Sequence, residues 1–217
     1  MTTLRLEKRQ LRLPFLLLLL VCLPFAVAAQ AADEFQAGVH YRVLPEPVAT
    51  ADPKRVEVVE VFWYGCHHCY RFTTRIRQWA AELPDDINFV RMPAIWHPKM
   101  ALHAQAYYAA EELDVLDQLH PKLFDAIHAK GKKLDTEYEI YQQFVEAGVK
   151  EDDFSRGFHS FRVRSRLLRA EQRSRQYLVI STPCMVVNGK YLVTVEGAGS
   201  RDKMLDVVEF LLAREAQ

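Results

Sequence analysis

This chain lacks an apolar run long enough for an ordinary transmembrane helix. Its longest run, residues 13–27, is shorter than the ~20 residues that a spanning helix needs, and two prolines interrupt it. A basic start precedes the run, and two consecutive Ala-x-Ala candidate cleavage sites, residues 26–28 and 29–31, lie at its end. These features predict a cleaved secretory signal peptide over residues 1–31. A membrane anchor is one alternative, and a lipoprotein signal ending at Cys22 is another, although bulky Val21 precedes that cysteine.

Cysteine is scarce, with four among 217 residues. Without the predicted signal peptide, Cys66, Cys69 and Cys184 remain. An odd number of cysteines in an exported protein argues against a framework of structural disulfides. Cys66 and Cys69 form a Cys-x-x-Cys pair, and the sequence has no second pair of that spacing to complete a zinc site.

A strong net charge is also missing, because 28 Lys and Arg balance 28 Asp and Glu. Residues 1–31 contain four basic residues and one acidic residue, so their removal leaves 28 − 4 = 24 basic against 28 − 1 = 27 acidic residues. The mature chain would therefore carry a net charge near −3, as 24 − 27 gives. Nothing in this balance suggests nucleic acid as a partner.

The stretch VEVVEVFWYGCHHCY, residues 56–70, joins a strand pattern to the cysteine pair. Residues 56–62 are apolar on both faces apart from Glu57 and Glu60, which predicts a central strand buried on both sides. Residues 66–82 then show apolar residues at helical spacing. A strand that delivers Cys-x-x-Cys to a helix N-terminus is the arrangement for thiol–disulfide exchange.

The position of each cysteine predicts its role in that exchange. Cys66 precedes the helix, where the helix dipole and unpaired N–H groups favour its thiolate, so it is the predicted nucleophile. Cys69 lies one turn further and is expected to face the interior and resolve the mixed disulfide. His67 and His68 lie between the sulfurs, where an imidazolium or a ring N–H would stabilise the thiolate further. Stabilising the reduced form makes the disulfide a stronger oxidant. An inert structural cysteine pair is the alternative.

The rest of the chain predicts an α/β frame with an interruption. Residues 87–92 predict a second strand and hence a right-handed βαβ unit. Nearly eighty residues then show only helical patterns, one of them a short helical turn near Asp152. Asn188-Gly189 between two β-rich runs predicts a hairpin, and a terminal helix follows. We therefore predict a thioredoxin fold with a large inserted all-helical subdomain, divided into a signal peptide (1–31), an N-terminal thioredoxin-like segment (32–98), the helical insertion (99–178) and a C-terminal thioredoxin-like segment (179–217).

Two further polar features lie near the predicted site. Pro183 begins a strand and cannot donate to its ladder, and the residues alone leave its peptide bond open to cis or trans. A cis bond would make a tight turn beside the site and leave the Thr182 backbone free to pair with an extended substrate. Glu60 lies among apolar neighbours, where an ionised carboxylate is costly. We expect it to be buried and to relay protons for Cys69, with a solvated or Lys-paired glutamate as the alternative.

At this point the chain resembles a known family. VEVFWYGCHHCY, TPCMVVNGKYLV and the helical insertion together resemble the DsbA family of bacterial periplasmic thiol:disulfide oxidoreductases, over about residues 34–213. The resemblance implies that Cys66 is the nucleophile, Cys69 the resolving thiol and Pro183 a cis proline, and it places an acid at Glu60. It also implies a DsbB-like membrane quinone reductase that reoxidises the pair.

Two positions depart from the family pattern. His67 replaces the proline of the usual Pro-His dipeptide, whereas His68 matches the family histidine. Cys184 stands where a small or apolar residue is common. It is expected to be a buried small hydrophobe, or else a thiol that exchanges with Cys66. Other histidines have no ligand partners at metal-binding spacing and are expected in surface or core roles: His97, His103, His120, His128 and His159.

These observations predict a periplasmic, monomeric dithiol oxidase that donates its Cys66–Cys69 disulfide to newly exported proteins without a cofactor or metal. One alternative is a disulfide isomerase or reductase. Such proteins often dimerise through an extra N-terminal domain, for which the two dozen or so residues before the first strong strand are too few. A Cys/His metal-binding module built from Cys66, Cys69 and His68 is the other alternative.

Overall fold

Thirteen helices and strands follow one another along residues 34–216, the part of the chain that the computed structural model describes. The signal-peptide prediction lies outside these residues. In chain order the elements are β1 (Arg42–Val43), β2 (Val56–Phe62), α1 (His67–Ala81), β3 (Ile87–Pro93), α2 (Pro98–Glu112), α3 (Leu116–His128), α4 (Glu137–Val145), α5 (Glu151–Phe158), α6 (Phe161–Gln176), β4 (Cys184–Val187), β5 (Tyr191–Thr194), α7 (Val195–Ala198) and α8 (Arg201–Glu215).

The five strands form one sheet in the order β1-β5-β4-β2-β3. Strands β2 and β3 pair in parallel, and the other neighbours are antiparallel. Strand β2 lies between β4 and β3, and all but its first residue are buried, so the prediction of a central strand is confirmed. Because β2 ends directly before the cysteine pair, the sheet fixes where α1 begins.

The predicted hairpin between β4 and β5 is also present. Asn188 and Gly189 both adopt a positive φ, 49° and 62°, as the turn of a two-residue hairpin requires. A Cβ on Gly189 would lie 1.9 Å from the Val48 carbonyl oxygen. Close packing against the backbone therefore requires glycine here, beyond the need for a positive φ.

The helical insertion, α2 to α6, packs onto the sheet through a shared apolar core. The Phe62 ring at the end of β2 lies 5.3 Å from that of Tyr107 and 5.9 Å from that of Phe124. The short helical turn predicted near Asp152 is the eight-residue helix α5, which buries Phe154 and Phe158, four residues apart, against the core. No helix within residues 34–216 is long and apolar enough to cross a membrane.

A buried ion pair ties the insertion to the central strand. Glu57 on β2 is fully buried, and its carboxylate accepts hydrogen bonds from the Arg173 guanidinium of α6 and from the Ala51 backbone N–H, the latter at 3.1 Å. Other arginines of α6 pair with acidic residues at the surface, for example Arg175 with Glu171. If the buried Arg173–Glu57 pair were broken, a charge would remain away from water without its partner.

We expect Arg173→Met to lower the free energy of unfolding by about 3–5 kcal/mol, because it leaves the Glu57 carboxylate buried without its partner. Arg175→Met is the matched control on the same helix, and its exposed pair is worth about 0.5 kcal/mol or less. Urea denaturation of both variants measures the difference. Equal losses would contradict the importance given to the buried pair.

Candidate active site

Cys66 occupies the N-cap position of α1, directly after the turn that leaves β2. Its backbone is extended, with φ −87° and ψ 114°, and its N–H donates to the Trp63 carbonyl oxygen at 3.0 Å. Cys66 is partly exposed, whereas Cys69, one turn into the helix, is completely buried. Both cysteines are free thiols in this structure. The predicted arrangement of an accessible and an interior sulfur is therefore present.

The surroundings of Cys66 lower the pKa of its thiol to about 5. The largest cause is a hydrogen bond from the Cys69 thiol, and a hydrogen bond from the Thr182 side chain and the backbone N–H groups of Cys69 and His68 add to it. Partial burial of the sulfur opposes these contributions, because it disfavours the anion. Hydrogen bonds to the charged form outweigh burial, so Cys66 is a thiolate at neutral pH.

Burial acts in the opposite direction on the other two thiols. It raises the pKa of Cys69 well above its usual value, and the hydrogen bond and negative charge of Cys66 raise it further. Burial also raises the pKa of Cys184 to about 12. Cys184 is only 1% exposed and pairs with Val61 in the sheet. These surroundings favour a small buried hydrophobe over an exchanging thiol.

The loop before β4 lies against Cys66. The Thr182–Pro183 peptide bond is cis, as the family resemblance implied. The Cys66 thiol donates to the Thr182 carbonyl oxygen, with 3.3 Å between sulfur and oxygen. This bond requires the protonated thiol, so deprotonation of Cys66 frees the carbonyl oxygen, whereas a hydrogen bond from the Thr182 side chain lowers the pKa of Cys66. Thr182 therefore lies beside the reacting sulfur with a backbone acceptor available.

The two histidines between the cysteines are exposed. An Arg201 guanidinium nitrogen lies 3.2 Å from Nδ1 of His68, and the His67 ring centroid lies 5.7 Å from that of His128. Arginine can only donate, so Nδ1 of His68 accepts and the ring proton lies on Nε2. Through its backbone N–H, His68 already contributes to the low pKa of Cys66. A role for either imidazole stays a prediction.

Glu60 is buried, as expected, but its partner is arginine and not lysine. Arg91 lies directly opposite Glu60 on β3, and its Nε donates to the carboxylate at 3.1 Å. Burial raises the pKa of Glu60 to about 7, although the Arg91 charge and hydrogen bond oppose that shift. The Glu60 charge in turn helps to raise the pKa of Cys69. A carboxyl group that titrates near neutrality thus acts electrostatically on the Cys69 thiol.

Sequence reasoning missed several neighbours of this site. Arg91 and Arg201 approach Glu60 and His68 from other elements, and three histidines of the insertion contact the segment before Cys66: His103, His120 and His128. Their spacing along the chain gives no signal, because only the folded chain brings them together. Within residues 34–216, no three His, Cys, Asp or Glu side chains converge to hold a metal ion.

The low pKa of Cys66 makes the stability of the reduced protein depend on pH. Its folded pKa of about 5 lies below the ordinary thiol value of 9.0, so the stabilisation is complete above pH 9 and is lost as the pH falls through 5. Relative to the oxidised protein, we expect the free energy of unfolding of the reduced protein to rise over this range. The slope should reach at most about 1.4 kcal/mol per pH unit, less the screening at a partly exposed sulfur. Urea denaturation of both redox forms tests this, and parallel curves would contradict it.

Comparison with known proteins gives a consistent result. Residues 75–209 match the DSBA-like thioredoxin domain family. The thiol:disulfide interchange protein DsbA of Azotobacter vinelandii is 37% identical over 195 residues, covering 88% of this chain and 91% of the relative. The protein of the same name from Pseudomonas aeruginosa strain PAO1 is 37% identical over 191 residues, covering 88% and 90%.

Solved structures agree with the sequence relatives. The crystal structure of Pseudomonas aeruginosa DsbA has a TM-score of 0.82 at 36% identity, over 85% of this chain and 96% of that one. The oxidoreductase DsbA from Xylella fastidiosa has a TM-score of 0.77 at 30% identity, over 83% and 97%. The fold, the Cys-x-x-Cys pair at the start of α1 and these similarities lead to one conclusion: the chain belongs to the DsbA-like thioredoxin domain family and is a thiol:disulfide oxidoreductase.

Proposed function

We propose that this oxidoreductase works as a net oxidant in the periplasm and donates the Cys66–Cys69 disulfide to newly exported proteins. The low pKa of the Cys66 thiol carries the proposal. A thiolate exists only in the reduced protein, so whatever stabilises it favours the reduced form and makes the disulfide a better electron acceptor.

The size of this effect follows from the pKa. A folded pKa of about 5 lies two units below neutral pH, which corresponds to about 2 kcal/mol after allowance for solvent screening at a partly exposed sulfur. For a two-electron couple this is about 40 mV toward a more oxidising potential. This contribution is a substantial part of the difference in reduction potential between a reductant and an oxidant.

The exchange proceeds in two balanced steps. A client thiolate attacks the Cys66 sulfur, the Cys66–Cys69 bond breaks, and Cys69 takes up a proton. A second client thiolate then attacks the client sulfur of the mixed disulfide and releases Cys66 as a thiolate. The client loses two electrons and gains a disulfide, and the Cys66–Cys69 pair gains those electrons. The low pKa of Cys66 makes it a good leaving group in the second step.

Thr182 and Pro183 are the proposed client-binding residues. The Thr182 carbonyl oxygen lies 3.3 Å from the Cys66 sulfur, so a client sulfur bonded to Cys66 would bring its own backbone to this edge. An extended client segment can then hydrogen-bond to the Thr182 backbone, and this recognition is independent of the client's side chains.

Glu60 is the proposed proton relay for Cys69. The pKa of Cys69 is raised well above its usual value, so this sulfur needs a proton when the disulfide opens and must lose it when the disulfide forms again. Glu60, with a pKa of about 7, exchanges protons readily at neutral pH. Its burial beside Arg91 shields the carboxyl group from direct proton exchange with bulk solvent.

Reoxidation requires an acceptor for two electrons outside this chain. We assign that role to a DsbB-like membrane quinone reductase, which accepts the electrons from the Cys66–Cys69 pair and passes them to quinone. The predicted signal peptide would take the chain to the compartment where such an enzyme works. We further propose that the mature protein is a monomer, which gel filtration tests.

We expect the glutathione equilibrium of the wild-type protein to give a reduction potential well above the roughly −270 mV of thioredoxin. Thiolate absorbance should titrate with a midpoint near the Cys66 pKa of about 5 and disappear in Cys66→Ser. A thioredoxin-like potential would assign the protein to reductases instead. An alkaline midpoint for Cys66 would remove the basis of the proposal.

We expect Glu60→Gln to slow both reduction of the disulfide by a client peptide and its reoxidation, by up to about 100-fold, the low end of what general acid–base catalysis supplies. Glu57→Gln is the matched control, a buried carboxylate on the same strand that pairs with Arg173 instead. Stopped-flow fluorescence measures both rates. Unchanged rates in Glu60→Gln, or equal slowing in both variants, would rule out the relay.

A further inference from the structure

Three histidines of the helical insertion contact the segment Trp63–Tyr64, which lies just before Cys66. We call them the histidine clamp: His103 on α2, and His120 and His128 on α3. We propose that they are positioning residues, which hold Cys66 where its thiolate is stabilised. The inference rests on the proposed function, since it takes Cys66 as the nucleophile whose ionisation matters.

His103 fixes the Trp63 side chain, and the partners of its two ring nitrogens determine which nitrogen donates and which accepts. The Leu134 carbonyl oxygen lies 3.1 Å from Nε2 and can only accept, so Nε2 carries the ring proton. Nδ1 is then free to accept from the Trp63 indole N–H, at 3.2 Å. The indole lies against Gly65, where a Cβ would come within 2.3 Å of the ring. His103 therefore holds the indole ring against which Gly65 packs.

His120 and His128 hold Tyr64 at both its side chain and its backbone. The Tyr64 hydroxyl lies 2.9 Å from Nδ1 of His120, and both groups are buried. Nε2 of His128 donates to the Tyr64 carbonyl oxygen at 2.8 Å. The His128 ring also stacks on Tyr70 of α1, with centroids 4.8 Å apart and planes inclined by 14°. One histidine therefore connects α3 to both sides of the cysteine pair.

The clamp matters more in the reduced protein than in the oxidised one. In the oxidised form a covalent bond to Cys69 restrains the Cys66 sulfur. In the reduced form the sulfur must stay within reach of the Cys69 thiol and the α1 N–H groups with no such bond. Gly65, which lacks a side chain, gives this loop backbone freedom that the clamp limits. Loosening the clamp should therefore destabilise the thiolate selectively.

His128 is the best position to test, because it is only partly buried and uses one ring nitrogen. His128→Leu removes the donor, whereas His128→Gln keeps an N–H near the position of Nε2. His159→Leu is the matched control, an exposed histidine of the insertion that contacts Glu137 and not the site. The readouts are the Cys66 pKa, from thiolate absorbance, and the glutathione equilibrium constant.

We expect His128→Leu to raise the pKa of Cys66 by about half a unit to one unit, the range that one hydrogen bond supplies. The glutathione equilibrium should shift by about 3- to 10-fold toward the oxidised protein, since one pKa unit corresponds to tenfold. His128→Gln should restore both values nearly to those of the wild type. His159→Leu should leave both unchanged.

A folded His128→Leu protein with wild-type values would overturn the proposal, and so would a His128→Gln protein that shifts as much as His128→Leu. If His128→Leu fails to fold, Trp63→Phe provides the second test. This variant keeps a ring over Gly65 but removes the indole N–H that donates a hydrogen bond to His103. This variant must also raise the Cys66 pKa, and an unchanged value would overturn the clamp. Failure of the proposed function looks different, since wild-type Cys66 itself would then show an ordinary pKa.

Discussion

The chemistry of this protein depends on the hydrogen bond between its two active-site thiols. Cys69, a residue of the first turn of α1, is buried, so it stays protonated and can donate to Cys66. Cys66 is at the helix N-cap, so it receives that bond together with backbone N–H donors. The same contact lowers one pKa and raises the other. Two identical side chains three residues apart thereby differ, with Cys66 ionised at neutral pH and Cys69 protonated.

The central strand adds two desolvated carboxylates with different partners. Glu57 has the Arg173 guanidinium and a backbone N–H, and it joins the insertion to the sheet. Glu60 has Arg91 alone among the described residues, and burial leaves it with a pKa of about 7. Glu57 therefore serves in a structural ion pair, whereas Glu60 carries a carboxyl group that exchanges protons near neutral pH.

The helical insertion contributes to the site as well as to the core. Phe62 links it to the end of β2 through aromatic contacts with Tyr107 and Phe124. Immediately beyond Phe62, side chains of α2 and α3 bind the Trp63–Tyr64 segment. The insertion therefore lies where it affects the geometry of Cys66, in addition to covering one face of the sheet.

The sequence by itself determined the features that depend on local pattern. The β2–α1 junction, the hairpin at Asn188-Gly189 and the accessible Cys66 ahead of an interior Cys69 follow from spacing and residue type, because strand, turn and helix signals act over a few residues. Helix α5 was predicted only as a short turn near Asp152, because its eight residues give a weak pattern and the packing of Phe154 and Phe158 sets its length. Tertiary structure alone decided which charge meets Glu60, how strongly burial shifts the pKa of each thiol and which histidines reach Trp63 and Tyr64. Partners distant in the chain meet only when the core forms, and burial sets a pKa only after water has been excluded.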